Sequence, residues 1–117
     1  FIMANLVDFD MLWGHRNDTA GFKKGLEVFD GWLPRIFDRL RPDDILFLTA
    51  DHGNDPTTPS TDHSREYVPV LAAGPGVRAG VDIGVRSTFS DLGATVVDHF
   101  GLPPLAQGRS FLGEIVS

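Results

Sequence analysis

The chain has 117 residues, 42% of them hydrophobic, and its 10 Lys+Arg against 16 Asp+Glu leave a formal net charge of −6. That length holds one domain at most, the apolar fraction is that of a globular protein, and the net acidity argues against a nucleic-acid partner. No run approaches the ~18 apolar residues of a membrane span, and the absence of cysteine rules out a disulfide scaffold and suits a reducing compartment.

Taken in chain order, Ile2 to Phe9 reads as a buried strand, a short apolar run ending at acidic residues. The apolar start lacks the basic region and cleavage site of a signal peptide. Asp10 to Asp18 reads as a loop carrying Gly14. From Thr19 the period changes. Phe22, Leu26, Phe29, Leu33, Ile36, Phe37 and Leu40 fall mostly three and four apart, as an amphipathic helix requires, and their stripe is expected in the core. Thr19 is a candidate cap, and Pro34 should kink or split the helix because it removes a backbone donor.

Ile45 to Ala50 is a second buried strand that runs straight into Asp51-His52-Gly53-Asn54. The Thr-, Ser-, Pro- and Asp-rich stretch from Gly53 to Arg65 reads as an exposed loop. Val68 to Ala73 is a third strand, shortened because Pro69 cannot donate to a central ladder. Gly74-Pro75-Gly76 is a turn. Thr88 to Phe100 is a second helix, capped by Thr88 or Ser90 and stopped by Gly101 and Pro103. Strands alternating with helices predict an α/β fold, a mostly parallel sheet with flanking helices.

The acids are unevenly placed. Asp8 to Asp18 holds three aspartates against one arginine, and Asp51 to Glu66 holds four acids against Arg65. Three of the four histidines, His15, His52 and His63, fall inside these windows. Carboxylates that travel with imidazoles rather than lysines point to a divalent metal, since both are good ligands for one.

Asp10 and His15 lie five residues apart, which on an α-helix leaves them ~140° apart, so they converge only if the segment bends, as Gly14 permits. Asp8 competes with Asp10 for the carboxylate role. Asp51 and His52 reach one centre only where the strand has ended, and Gly53 allows the sharp turn that follows. His63 lies beyond the polar loop and can return to the same place. His99, near the end of a helix, reads as a dipole partner. The hydroxyls of Thr57, Thr58, Ser60 and Thr61 are explained by turn chemistry. No Walker-type phosphate loop and no nucleophile elbow is present.

Three segments carry a family resemblance: Asn5 to Arg16, Thr49 to Pro56, and Thr61 to Val70, with Gly108-Arg109-Ser110-Phe111-Leu112 as a fitting tail. They resemble the C-terminal part of the phosphopentomutases, within the alkaline phosphatase superfamily. The Asp-His pair is shared with phosphoglycerate mutases and phosphatases of that superfamily. The Val7-Asp8-Phe9-Asp10 and Asp55-Pro56 contexts favour the pentose enzymes.

The resemblance implies a cytoplasmic, two-metal enzyme, usually with manganese, that moves phosphate between the C1 and C5 oxygens of ribose or deoxyribose. By motif position Asp51 and His52 would bind one ion and Asp10, His15 and His63 the other, which also selects Asp10 over Asp8. The family's phosphorylated threonine, a further metal-binding aspartate and the substrate cap have no counterpart here. Residues 1–117 therefore read as the C-terminal part of a metal-binding core domain, inactive alone. An inert folded module is the competing reading. A truncated sheet should expose edges and apolar surface, favouring self-association or reliance on the missing N-terminal segment.

Overall fold

A computed structural model describes residues 1–116. In chain order it contains a π-helix (Phe9–Gly14), α1 (Thr19–Phe37), β1 (Leu46–Thr49), β2 (Val70–Ala73), α2 (Ser90–His99) and a short α3 (Leu112–Ile115). No helix among the described residues is long and apolar enough to cross a membrane.

The expected first strand does not form. Residues 1–6 carry no regular structure, and Phe1, Ile2 and Met3 are 84%, 94% and 81% exposed. A strand gains its stability from a neighbour's ladder, and the described residues supply none beside this segment. In place of the expected loop, the chain winds from Phe9 into the π-helix.

The sheet differs from expectation as well. It has two strands, β1 and β2, and they run antiparallel. A parallel neighbour needs a crossover to the opposite end, usually a helix. No helix lies between β1 and β2. The connecting segment leaves and re-enters at one end of the sheet, where Gly53 and Ser64 form an antiparallel bridge. Both strands are only partly buried. Pro69 falls just outside β2, as its missing donor requires.

The chain divides into two compact units, residues 1–39 with 47–71, and residues 40–46 with those from 72 onward. In the first, α1 packs against the π-helix. The Phe9 ring meets Trp13 edge-on at 5.0 Å and Phe22 at 5.1 Å. Trp13 lies flat where a Cβ on Gly25 would come within 2.3 Å of it. The cap of α1 is Asp18, not Thr19: its carboxylate accepts the Gly21 N–H at 2.8 Å. Pro34 lies in the last turn, and the helix runs through it to Phe37 without splitting. The apolar stripe of α1 is only half covered, with Leu26 and Phe37 exposed beside Val28 and Trp32.

The second unit holds the buried side chains. Thr95, Phe111 and Ile115 are buried, together with the charged Asp91. Burying a carboxylate requires partners. Asp91 accepts from the Arg109 N–H at 2.9 Å and from Arg86 Nε at 3.0 Å. The Thr95 hydroxyl donates to the Asp91 carbonyl at 2.7 Å and accepts the Phe111 N–H at 3.0 Å. Arg78 ties in the same tail through the carbonyls of Gly113 and Glu114. At the start of α2 the Thr88 hydroxyl accepts the Ser90 N–H, and Gly101 ends the helix at a φ of 62°.

The Arg109 N–H, aided by the Arg86 guanidinium, holds the Asp91 carboxyl below the usual carboxylate range against the opposing effect of burial. A carboxylate depressed in the native state stabilises it fully above the unfolded value of ~3.9 and ceases to do so as pH falls through the native one. Acid unfolding followed by circular dichroism should therefore begin at higher pH in Asp91→Asn than in the parent chain. Thr95→Val, which removes the hydroxyl that accepts the Phe111 N–H, should cost about 1–3 kcal/mol in urea unfolding.

Candidate metal centre

The site lies wholly in the first unit. Its foundation is the π-helix, in which the N–H of His15 bonds to the carbonyl of Asp10, five residues back, at 2.9 Å. That winding stacks residues 10 and 15 on one face, where α-helical winding would separate them. Their side chains meet accordingly, His15 Nε2 lying 3.4 Å from Asp10 Oδ1. Asn17, whose φ of 51° suits an asparagine, turns the chain out of the π-helix toward Asp18 and α1.

The second contribution comes from the end of β1. Past Thr49 the ladder stops, and His52 turns its Nε2 to within 3.9 Å of Asp10 Oδ1. Gly53 follows for reasons of space rather than dihedral freedom, since its φ is not positive. A Cβ there would lie 2.6 Å from the Ser64 carbonyl oxygen and 2.7 Å from the Glu66 nitrogen. The chain returning from the polar loop thus presses against Gly53, and the Ser64 N–H bonds to the Gly53 carbonyl at 3.0 Å. This contact brings the preceding residue, His63, to the site with its Nε2 3.2 Å from Asp10 Oδ1.

The loop between is hung from the π-helix and the start of α1. Asn17 Nδ2 donates to the Thr58 carbonyl at 3.0 Å and Thr19 Oγ1 to the Pro56 carbonyl at 3.2 Å. Asp55 closes an internal turn, accepting from the Thr57 hydroxyl at 2.6 Å and the Thr57 N–H at 2.8 Å, and these bonds lower its carboxyl below the ordinary range.

Asp10, His52 and His63 offer ligand atoms all within 4.8 Å of one another. His15 joins them through Asp10. Donors sharing one ion at ~2.1 Å lie roughly 3–4 Å apart, the separations found here around Asp10 Oδ1. The imidazole orientations agree. His15 Nδ1 faces the Thr61 carbonyl at 2.5 Å and His52 Nδ1 faces the Gly53 carbonyl at 3.2 Å. A carbonyl only accepts, so each Nδ1 carries the hydrogen, and Nε2, turned toward the carboxylate, is the nitrogen left to bind a metal. A cation seated between such nitrogens and a carboxylate oxygen is held by both. Such carbonyl bonds behind the ring are the usual support of a metal-binding histidine. The residues present therefore fit a divalent cation.

Asp51 stands apart from this group. Its carboxylate is 82% exposed, with Oδ1 3.6 Å from His52 Nε2. Among the described residues the geometry groups His52 with Asp10 and His63 rather than with Asp51 alone, and the rings of His52 and His63 stack at 3.6 Å. Two contributors carry no role in the sequence reading: the Thr61 carbonyl behind His15, and Asn54, whose Nδ2 donates to Asp10 Oδ1 at 3.1 Å. Asn54 had a visible signal, a polar residue two positions beyond His52.

The sequence model of the Metalloenzyme superfamily matches residues 1–104, and the chain belongs to that superfamily, whose alkaline-phosphatase-like core is α/β. Among curated relatives it is similar to the phosphopentomutases. That of Desulfitobacterium hafniense (strain Y51) is 60% identical over 115 residues, 98% of this chain and 30% of the relative. That of Kosmotoga olearia is 58% identical over the same share. That of Thermotoga maritima is 58% identical over 110 residues, 94% of this chain and 28% of the relative. The chain thus spans about 30% of the length of the relatives it matches.

Gly53→Ala should push the returning segment away and cost about 1–3 kcal/mol of stability. Thermal unfolding should register that loss. An unchanged transition would show that the segment carrying His63 is not seated on Gly53.

Proposed function

We propose that this chain is the C-terminal, metal-binding part of a phosphopentomutase core domain. In this reading the complete enzyme interconverts the 1- and 5-phosphates of ribose or deoxyribose in the cytoplasm, and the chain alone is inactive. The observation that carries it is the convergence of three imidazole Nε2 atoms on one oxygen of Asp10. The 58–60% identity to phosphopentomutases from three organisms supports the choice of enzyme.

Asp10, His15 and His63 would hold one divalent ion, and His52, whose Nε2 lies 3.6 Å from Asp51 Oδ1 and 3.9 Å from Asp10 Oδ1, would join Asp51 at an adjacent one, manganese in both. When bound, a pair of divalent cations neutralises charge on the attacking and leaving oxygens of a transferring phosphoryl group. The chain's own residues fix those positions. The Thr61 and Gly53 carbonyls hold His15 and His52 in the tautomer that leaves Nε2 free, and Asp10 supplies the anionic charge. The exposed Asp51 faces outward, ready to complete its site with groups from the rest of the enzyme. The exposed apolar residues of the first seven positions and of α1 are covered there too, within a larger, mostly parallel sheet, or by self-association.

Manganese retained by the 117-residue chain after dialysis tests the reading. Asp10→Asn should lower Mn2+ affinity by more than the ~10–100-fold that loss of an outer partner costs. Equal retention by the parent chain and the variant would overturn it.

A further inference from the structure

Asp10 is only partly buried, its side chain 34% exposed. The last torsion of an aspartate is broad, so packing alone leaves its carboxylate free to turn. Three imidazoles nonetheless face a single oxygen, Oδ1. A hydrogen bond from outside the three rings also holds that oxygen in place. Among the described residues one other side chain bonds to it: Asn54 Nδ2, at 3.1 Å. A carboxylate only accepts, so the amide must present its NH2 there, and this fixes which way Asn54 points.

Asn54 is itself held from behind by the absence of a side chain. Gly14 is buried, and a Cβ on it would lie 2.0 Å from Asn54 Nδ2, 2.6 Å from Cγ and 2.9 Å from Oδ1. All three contacts are with the amide group. The φ of Gly14 is not positive, so its backbone does not demand glycine. What demands it is the slot. The π-helix thus contributes both the carboxylate, at Asp10, and the recess, at Gly14, that seats the amide which aims it.

We propose that Asn54 is a positioning residue for the metal centre, holding the Asp10 carboxylate toward the three imidazoles from a slot that exists because residue 14 has no side chain. This rests on Asp10 being a metal ligand. Asn54 touches no ion itself. It prepays the ordering of Asp10, so its loss weakens the site without removing a ligand.

The test is a double-mutant cycle on the 117-residue chain, read by Co2+ affinity and by the Co2+ d–d absorption spectrum. Asn54→Ala should weaken Co2+ binding ~10–100-fold and alter the spectrum, while unfolding of the metal-free chain stays near its parent midpoint. Gly14→Ala should produce the same loss by turning the amide out of its slot. Because its clash is with a side-chain end able to swing away, it provides the answer should Asn54→Ala fail to fold. The two losses should not multiply, the double variant binding no worse than the weaker single one. Parent-like affinity and spectrum in Asn54→Ala, or losses that multiply, would overturn the proposal while the metal reading stands. Co2+ binding that is absent in the parent chain, or unaffected by Asp10→Asn, would overturn the metal reading and this proposal with it.

Discussion

The hydrogen bond from the His15 N–H to the Asp10 carbonyl is the constraint on which the site depends. Five residues is an awkward interval. In a strand an odd separation sends two side chains to opposite faces, and in an α-helix it leaves them well apart. The five-residue bond of the π-helix returns residue 15 to the face of residue 10, so two ligand types meet without a long loop between them. Short π-helical stretches are rare and recur at functional sites, and here the geometric reason is open to view. Phe9 and Trp13, packed against Phe22 and over Gly25, hold the turn against α1, so its position is set by a helix rather than by a loose coil.

The second half of the site follows from the first. The polar loop has no core of its own, and it is held where it touches the π-helix, the residues just after it and the end of β1. His15 reaches the Thr61 carbonyl, Asn17 the Thr58 carbonyl and Thr19 the Pro56 carbonyl, while Gly53 receives Ser64. These bonds bring His63 back to Asp10, and the same carbonyl partners select the ring tautomers. Shape and ring orientation are therefore set together. A divalent cation is the natural complement to imidazole nitrogens gathered around a carboxylate.

Much of this was legible in the residues. Helical periodicity located α1 and α2 to within a few positions, and the apolar runs located β1 and β2, because each pattern reports a local physical requirement. The clustering of aspartates with histidines pointed to the site. What escaped the sequence depends on distant neighbours. Ile2 to Phe9 has the composition of a strand but no partner ladder among the described residues, so its first residues stay irregular and exposed. The direction of β2 turns on where the loop returns, which spacing does not encode. Gly14 read as permitting a bend and Gly53 a sharp turn, whereas their role is to admit Asn54 and the 64–66 backbone, contacts visible only in three dimensions. Asp18 displaced Thr19 as the cap of α1 because its carboxylate, one position earlier, reaches the Gly21 N–H.

The most direct test of the central claim is an anomalous-difference map from crystals of the chain grown with Mn2+. A manganese peak should lie within bonding distance of Asp10 and of the Nε2 atoms of His15 and His63, with the π-helix intact beneath it. Manganese bound only at exposed carboxylates elsewhere, with Asp10 and His15 splayed apart, would contradict it.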